Sequence, residues 1–229
     1  MNKKLWLEVE KQIISKKPIC LYDFSDREGE TDVVYVGQTL TAKDVDFLRR
    51  DVGGPLSIYV SGQFLEKFGI LPFSKFIKEK VTDGPLRKLV ESNRGHDPRF
   101  AISIDARDNF TGCSMIETAH TINSLYDLVS KTDQVSNGKL ADIFVENFIS
   151  PGHVPIIPSA ENLLKERKGH VELSITIAKI FNIPEIIVAG ELIDPDSLKS
   201  MNRRTAEKFA QEYNFPFITG EDVLNKVGL

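Results

Sequence analysis

The segment "SDREGETDVVY", residues 25–35, places an arginine and several carboxylates side by side. If residues 28–32 are extended, side chains at alternate positions share a face, so Glu28, Glu30 and Asp32 converge. A hard divalent cation such as Mg²⁺, which prefers carboxylate and water oxygens, would relieve the repulsion among them. The segment therefore predicts a divalent cation site. The alternative is a solvated acidic turn in which Arg27 is an ordinary salt-bridge partner.

A second segment, "RKGH" at residues 167–170, combines two cations, a glycine and a histidine where a helix begins. Free backbone N–H groups and the positive end of the helix dipole favour an anion there. Arg167 could strengthen such a site through bidentate hydrogen bonds. The alternative is a basic turn in which His170 only caps the helix.

Two further residues are candidates with weaker individual signals. His153 follows "PG" in a stiff loop, although a lone histidine is more often structural than catalytic. Glu191 ends a predicted strand, and open α/β sheets bind ligands at the carboxyl ends of their strands. Many strands end in glutamate, so this position alone does not indicate function.

The elements that must position these residues alternate between strand and helix. Strands are predicted at 19–24, 33–37, 56–61, 100–105, 185–192 and 215–219, and helices at 4–15, 41–52, 115–130, 170–181, 204–214 and after Gly220. Loops are predicted at "TDGP" (82–85) and "RGHDP" (94–98), and an extended or turning segment at 151–158. The pattern, without repeats or linkers, predicts one α/β domain over residues 1–229.

The helix predicted to follow "TG" at 111–112 has the clearest start signal. Ser114 and Glu117 have the spacing of a capping box, so Thr111 lies just ahead of a helix N-terminus. The helix then presents one apolar face, formed by Ala119, Ile122, Tyr126 and Val129.

Composition limits the possible functions. The 229 residues have a net charge of −4 and a pI of about 5.7, which argues against a generally basic, nucleic-acid-binding surface. The two cysteines, Cys20 and Cys113, suggest neither a disulfide framework nor a thiolate metal site, and both are predicted to be buried packing residues. Because no stretch is apolar enough for export or a membrane span, we expect a cytoplasmic protein.

Several motifs occur together in a characteristic order: "DREGETD", "GG" at 53–54, "FAISIDARDNFTG", "SPGHV", "RKGHVE" and Glu191. In this order and spacing the chain resembles the 3,4-dihydroxy-2-butanone 4-phosphate synthase family, particularly its stand-alone archaeal form. The resemblance extends from about Tyr22 to "ITGEDVL" near the C-terminus. Each motif is weak alone, but six in register are specific.

The resemblance implies a fold and an activity. The fold would be a single-domain, three-layer sandwich around a mixed β-sheet. The activity would be that of a lyase of riboflavin biosynthesis, which converts ribulose 5-phosphate to a four-carbon ketone phosphate and formate through metal-stabilised enediolates with acid/base catalysis. The resemblance also implies Mg²⁺ or Mn²⁺, two ions per site, and a homodimer with sites at the interface, without nucleic-acid or membrane partners.

The resemblance also assigns roles to residues. Glu28 and His170 would hold the metal, Arg167 and the turn through Gly169 the phosphate, and His153 and Glu191 would be essential to catalysis. Either Glu30 or Asp32 would abstract a proton. The residues expected to contact substrate are Arg27, Glu28, Asp32, Thr111, Arg167, Lys168, Gly169, His170, Val171 and Glu191.

Four positions depart from the family pattern. Val171 stands where threonine is usual, Thr118 where arginine is usual, and Ser57 and Gly190 where cysteine is usual. A lost hydroxyl donor at 171 could cost about 1.5–3 kcal/mol of anion binding. The first two departures favour an alternative, a non-catalytic paralogue that binds a phosphosugar or metal as a regulator. A third possibility, a nucleotide-binding carbamoyl-transfer protein of similar fold, would require a basic RNA-binding surface that is not evident in this acidic chain.

Overall fold

The computed structural model describes residues 2–81, 84–91 and 97–229. Two of the predicted loops, 82–85 and 94–98, lie partly outside these residues. Within them, seven strands form one mixed sheet in the order β4-β5-β3-β6-β2-β1-β7. The strands are β1 Ile19–Tyr22, β2 Thr31–Val36, β3 Ser57–Val60, β4 Ser103–Ala106, β5 Phe148–Pro158, β6 Ile186–Glu191 and β7 Phe217–Thr219.

Helices cover both faces of this sheet. They are α1 Lys3–Ile14, α2 Ala42–Phe47, α3 Gly62–Glu66, α4 Phe73–Lys80, α5 Met115–Ser130, α6 Asn137–Asn147, α7 His170–Ile180, α8 Arg203–Tyr213 and α9 Gly220–Val227. The core of one face includes side chains from α2, α5, α6 and α8, and the core of the other face those from α1, α7 and α9. The predicted three-layer architecture around a mixed sheet is confirmed.

The central strands are apolar on both faces because both faces are covered. Every residue of β1, β2 and β3 is buried, and alternate residues point to opposite cores. On β2, Val33 and Tyr35 join the core around α5, whereas Val34 and Val36 join the core around α7. By this alternation Asp32 lies on the α7 face.

Most predicted elements are observed near their predicted positions. The helix start at Ser114 is observed, since Ser114 Oγ accepts a hydrogen bond from Glu117 N at 3.2 Å. The predicted capping box is only half formed, because the Glu117 carboxylate accepts hydrogen bonds from Ser114 Oγ and from the N–H groups of Phe110 and Thr111 in place of the Ser114 N–H. Helices α3, α4 and α6 were not predicted, because their apolar residues lacked a clear helical period. The prediction for the cysteines is half wrong: Cys20 is buried, but Cys113 is exposed.

The β1–β2 connection, the end of β6 and the start of α7 come together on the face of the sheet that α7 covers. The hairpin β1–β2 pairs Tyr22 with Thr31, so the acidic segment 23–30 is the connection between them. β2 and β6 are antiparallel and place Asp32 opposite Glu191. The start of α7 packs over these strands. Among the described residues, no helix is long and apolar enough to cross a membrane.

Candidate active site

The acidic segment is organised around a buried aspartate, Asp23. Its Oδ2 accepts hydrogen bonds from Arg27 Nη1 at 2.7 Å and Glu28 N at 3.2 Å, and its Oδ1 accepts one from Glu30 N at 3.0 Å. The chain therefore turns over residues 25–28, and strand β2 starts only at Thr31. The extended geometry considered for residues 28–32 is wrong at Glu28, because Asp23 holds that residue in a turn.

His170, the first residue of α7, lies against this turn. Its Nε2 donates to the Glu30 carbonyl oxygen at 3.2 Å, and its Nδ1 is 3.7 Å from Glu28 Oε2. Glu28 also accepts hydrogen bonds from both terminal nitrogens of Arg27. The acidic segment and the glycine–histidine helix start, 140 residues apart in sequence, are therefore in contact.

Opposite charges stabilise the contact between Glu28 and His170. Contact with His170, together with Arg27 and against the effect of burial, lowers the pKa of Glu28 to about 2. Burial opposes the charging of His170, but the carboxylates of Asp32 and Glu28 outweigh it and raise the pKa of the ring to about 9. At neutral pH the pair is therefore an ion pair, and a cation that binds it must displace the proton of His170.

The donor atoms at this point fit a divalent cation. Ligand atoms of Asp23, Glu28 and His170 all lie within 4.8 Å of one another, the single such cluster found among the described residues. Asp23 already accepts three hydrogen bonds, so it positions the turn more readily than it binds an ion. Glu28 lines two adjoining cavities and can face a ligand. The donor pair is thus Glu28 and His170, with further positions left for water or substrate oxygens.

The start of α7 forms the cationic end of the site. Gly169 is the N-cap, and its N–H donates to Glu172 Oε2 at 3.3 Å. Arg167 Nη1 donates to the same oxygen at 2.6 Å. A Cβ at Gly169 would collide with the guanidinium groups of Arg167 and Arg27, so the absence of a side chain lets both cations approach the helix start. Lys168 is exposed beside them.

Two cavities meet at Arg27, Glu28 and Arg167. One, of about 300 Å³, is also lined by Tyr59, Arg99, His170 and Val171. The other, of about 630 Å³, is also lined by Asp26, Glu30, Glu166 and Lys168. A small ligand in the first cavity would lie beside both Glu28 and His170 and beside guanidinium groups, whereas the second cavity reaches Glu28 but not His170.

Two more predicted acids lie beside the metal pair. Asp32 is buried and accepts a hydrogen bond from Tyr59 Oη at 2.8 Å, and burial raises the pKa of its carboxyl. Glu191 stands opposite Asp32 in the sheet. Ser200 Oγ contacts Glu30 Oε1 at 3.0 Å and Glu191 Oε1 at 2.5 Å. Burial and the charge of Glu191 raise the pKa of Glu30. Ser200 therefore links Glu30 to Glu191, and Asp32 lies across the sheet from Glu191.

Two glycines allow neighbouring segments to pack closely around the end of β6. Gly54 donates its N–H to the Glu191 carbonyl at 3.0 Å, and a Cβ at Gly54 would strike the Glu191 backbone. The predicted "GG" break therefore packs against the end of β6. Gly190 also lies close to neighbours, since a Cβ added there would be 3.3 Å from Val52 Cγ1.

His153 lies elsewhere in the subunit. It sits on β5, where its Nδ1 is 2.7 Å from Asp105 Oδ2 and its N–H donates to Asp105 Oδ1 at 3.1 Å. Strands β3 and β6 separate β5 from β2, so the two strands are about 14 Å apart at ordinary strand spacing. His153 side-chain exposure is 51%. Within one subunit His153 does not join the group around His170.

Thr111 is also separate from this group. Its N–H and Oγ1 both donate to Glu117, at 3.0 and 3.1 Å, in the turn before α5. Thr118, at a departure from the family pattern, is buried and accepts a hydrogen bond from Arg49 Nη2 at 2.9 Å. Both contacts stabilise the start of α5, and neither reaches the metal pair in the subunit.

Several residues of this site were missed from sequence. Asp23 and Tyr59 looked like ordinary strand residues, and Ser200 like part of a loop. Glu172 had a detectable signal, because it stands three residues after the N-cap glycine in the capping-box position. The positions of Asp23, Tyr59 and Ser200 beside the site follow only from the tertiary arrangement of the strands and loops.

The chain is similar to known proteins in sequence along most of its length. The family model of 3,4-dihydroxy-2-butanone 4-phosphate synthase matches residues 8–226. The synthase of Archaeoglobus fulgidus is 33% identical over 90% of this chain and 87% of its own length. That of Methanosarcina acetivorans is 30% identical over 91% of this chain and 85% of its own.

Solved structures agree on the fold. A 3,4-dihydroxy-2-butanone 4-phosphate synthase in complex with two magnesium ions superposes with a TM-score of 0.71 at 17% identity, covering 96% of this chain and 95% of that one. The Candida albicans synthase superposes with a TM-score of 0.69 at 19% identity, covering 96% of each chain. At these identities the structures support the three-layer fold alone.

Proposed function

The chain belongs to the 3,4-dihydroxy-2-butanone 4-phosphate synthase family, and we propose that it converts D-ribulose 5-phosphate to 3,4-dihydroxy-2-butanone 4-phosphate and formate as a carbon–carbon lyase. This family acts on that phosphosugar in riboflavin biosynthesis. The observation that carries the proposal is the contact of Glu28 with His170, 3.7 Å apart, beside a cavity also lined by Arg167.

The cofactor of the proposed reaction is Mg²⁺ or Mn²⁺, two ions per site, with Glu28 and His170 as protein ligands. A bound divalent cation supplies Lewis-acid stabilisation to negative charge on adjacent oxygens. The oxygen and imidazole donors of the pair, and the acids around it, support this assignment. The second ion would need ligands beyond this pair, from substrate and water.

The cationic end binds the phosphate in this proposal. Arg167 and the first turn of α7 support an anion site at the helix start, where the helix dipole favours negative charge. Arg27 and Asp32 contact the sugar hydroxyls, and Lys168 adds positive charge at the entrance. Thr111 is a further substrate contact only if a second subunit brings it to the site.

The acids move protons in this proposal. Substrate must lose a proton next to its ketone, and a base with a raised pKa suits that task near neutral pH. Glu30 and Asp32 both have raised pKa values, mainly through burial. Glu191, linked to Glu30 through Ser200, accepts or returns protons in later steps.

His153 completes the site from a second subunit, in our proposal. Its half-exposed ring and its separation from β2 within the subunit support a homodimer with active sites at the interface. Asp105 fixes the ring through Nδ1 and leaves Nε2 to face the partner's site. We place the enzyme in the cytoplasm, without nucleic-acid or membrane partners.

One assay tests the reaction. Purified protein is incubated with ribulose 5-phosphate and Mg²⁺, with and without a chelator, and formate is measured. We expect chelator-sensitive formate that Glu28→Ala reduces by on the order of a hundredfold or more, since it removes a metal ligand. Glu10→Ala, which removes an exposed acid from α1, is the matched control and should retain activity.

The same preparation distinguishes the alternative function. Val171 brings no hydroxyl to the wall of the 300 Å³ cavity, which is the observation that favours a non-catalytic, phosphosugar-binding regulator. Tight binding of ribulose 5-phosphate without any formate would support that regulator. Absence of both binding and formate would contradict both functions.

A further inference from the structure

Arginine side chains from three separate parts of the chain line the 300 Å³ cavity: Arg27, Arg99 and Arg167. Two carboxylates also line it. Glu28 is paired with Arg27, and Asp97 is paired with Lys78 Nζ at 2.6 Å. Arg99 and Arg167 are therefore the two arginines of this wall that are not paired with either of these acids.

Arg99 is fixed in place by the backbone at the end of β5. Its Nε donates to the Pro158 carbonyl at 2.8 Å and its Nη2 donates to the Ser159 carbonyl at 2.7 Å. Among the described residues, Nη1 has no hydrogen-bond acceptor. A guanidinium held by two neutral carbonyls keeps its charge and its remaining donors for a third partner.

Arg99 and Arg167 share one carboxylate. Glu172 is completely buried, with Oε2 2.6 Å from Arg167 Nη1 and Oε1 3.9 Å from Arg99 Nε. Glu172 is also committed to the N–H groups of Ala160 and Gly169. Two guanidinium groups therefore share this one buried carboxylate. In addition, Arg167 Nε is buried without an acceptor among the described residues.

The remaining wall offers few donors. Val171 is buried and contributes only methyl groups, and Tyr59 Oη is directed to Asp32. Hydrogen-bond donors for an anion in this cavity must therefore come mainly from guanidinium groups and the α7 start. Guanidinium forks match the geometry of phosphate oxygens.

We propose that Arg99 is a phosphate-binding residue, which together with Arg167 holds the phosphate of the substrate in the 300 Å³ cavity and supplies donors that the Val171 wall does not. This assignment rests on the proposed function for the identity of the substrate. It does not rest on it for the anion, because the fixed guanidinium of Arg99 and the buried Nε of Arg167, without an acceptor among the described residues, are features of the cavity itself.

The test compares Arg99→Gln with Arg50→Gln. Glutamine at 99 can still donate to the Pro158 or Ser159 carbonyl, so the variant removes the charge while limiting the structural damage. Arg50 is an exposed arginine paired with Asp46 and provides the same charge change far from the cavity. Three quantities are measured: KM and kcat for ribulose 5-phosphate, and the dissociation constant of inorganic phosphate by calorimetry.

We expect Arg99→Gln to raise KM and the phosphate dissociation constant by on the order of ten- to a hundredfold, the loss of one charged hydrogen-bond partner. We expect kcat to change by less than about threefold, since the lost contact is equal in ground and transition states. Adding Val171→Thr to Arg99→Gln should recover part of the phosphate affinity, because it adds a hydroxyl to the same wall.

Two results would overturn the proposal. One is an unchanged KM and phosphate dissociation constant in Arg99→Gln relative to Arg50→Gln, with both variants folded by circular dichroism. The other is a loss confined to kcat. If the wild-type protein produces no formate, the proposed reaction fails, and the phosphate titration alone then decides whether Arg99 belongs to an anion site.

Discussion

At the scale of residues, one buried carboxylate organises the candidate site. Asp23 accepts hydrogen bonds from the backbone of Glu28 and Glu30 and from the side chain of Arg27, so the turn that carries the predicted ligands is fixed before any ligand binds. Because Asp23 is fully buried, the loss of any of these hydrogen bonds would be destabilising. Such preorganisation is what a site needs to bind a cation without first ordering a loop.

The Glu28–His170 ion pair predicts how the stability of the metal-free protein depends on pH. The pKa of Glu28 is lowered from 4.5 to about 2, so its contribution is present above pH 4.5 and is lost as pH falls through 2. The pKa of His170 is raised from 6.5 to about 9, so its contribution is present below pH 6.5 and is lost as pH rises through 9. As far as this pair is concerned, stability should be greatest between pH 4.5 and 6.5.

Urea unfolding in the presence of chelator checks this from pH 4 to 10. We expect the alkaline loss in wild-type protein to be on the order of 3 kcal/mol and to shrink in Glu28→Gln, whose neutral amide holds the His170 proton less firmly. Glu10→Gln is the control. Identical alkaline losses in all three proteins would contradict the ion pair.

At the scale of elements, glycines decide how closely the helix start and the strand ends approach their neighbours. Gly169 faces two guanidinium groups, which are flexible, whereas Gly54 faces the backbone of Glu191, which is not. Neither φ angle is of the left-handed kind, so a substitution at either position tests space and not backbone strain. The same change at the two positions should therefore have different effects.

We predict that Gly169→Ala displaces Arg27 and Arg167 and raises KM by on the order of tenfold or more, because the phosphate loses contacts while the flexible side chains move aside. Its free energy of unfolding should also fall, by about 1–3 kcal/mol, because alanine is a poorer N-cap and the Arg167 ion pair with buried Glu172 is weakened. Gly54→Ala should lose about 1–3 kcal/mol through overpacking against β6 without displacing either arginine. Chemical unfolding and steady-state kinetics of both variants check this. An equal rise of KM in the two variants would refute the distinction.

At the scale of the whole molecule, the strand order separates two groups of predicted residues. Arg27, Glu28, Asp32, His170 and Glu191 meet at the β1–β2–β6 side, whereas His153 lies on β5, beyond β3. A closed two-fold dimer could bring His153 of one subunit to the Glu28–His170 site of the other, and it would then contain two equivalent composite sites. The proposed dimer thus explains how one reaction could use both groups.

Complementation tests the shared site. Glu28→Ala and His153→Ala, each inactive alone, are coexpressed so that mixed dimers form. A mixed dimer would carry one site with both changes and one intact site, so random pairing should restore about a quarter of wild-type formate production. Coexpression of Glu28→Ala with His170→Ala, which affect the same side of the site, is the control and should restore none. No recovery in the first pair would contradict sites shared between subunits.

Local patterns in the sequence were sufficient for much of the fold. The apolar runs of β1, β2, β3 and β6 predicted buried strands, and the capping-box spacing from Ser114 to Glu117 and the glycine–histidine pair at 169–170 marked two helix starts. These signals are readable because they act between residues near in sequence. The motifs also identified the family, and with it the candidate ligands Glu28 and His170.

The tertiary structure alone decided which candidates lie together. The hairpin that places Asp23 beneath Glu28, the register that sets Asp32 opposite Glu191, and the cavity that joins Arg99 to Arg167 depend on contacts between distant segments. The sequence contained Arg99, Tyr59 and Ser200 without any local sign of their position. Side-chain period and capping are local properties, whereas strand order and packing depend on the whole chain. The sequence could therefore predict which residues carry chemistry, but not which residues lie next to them in space.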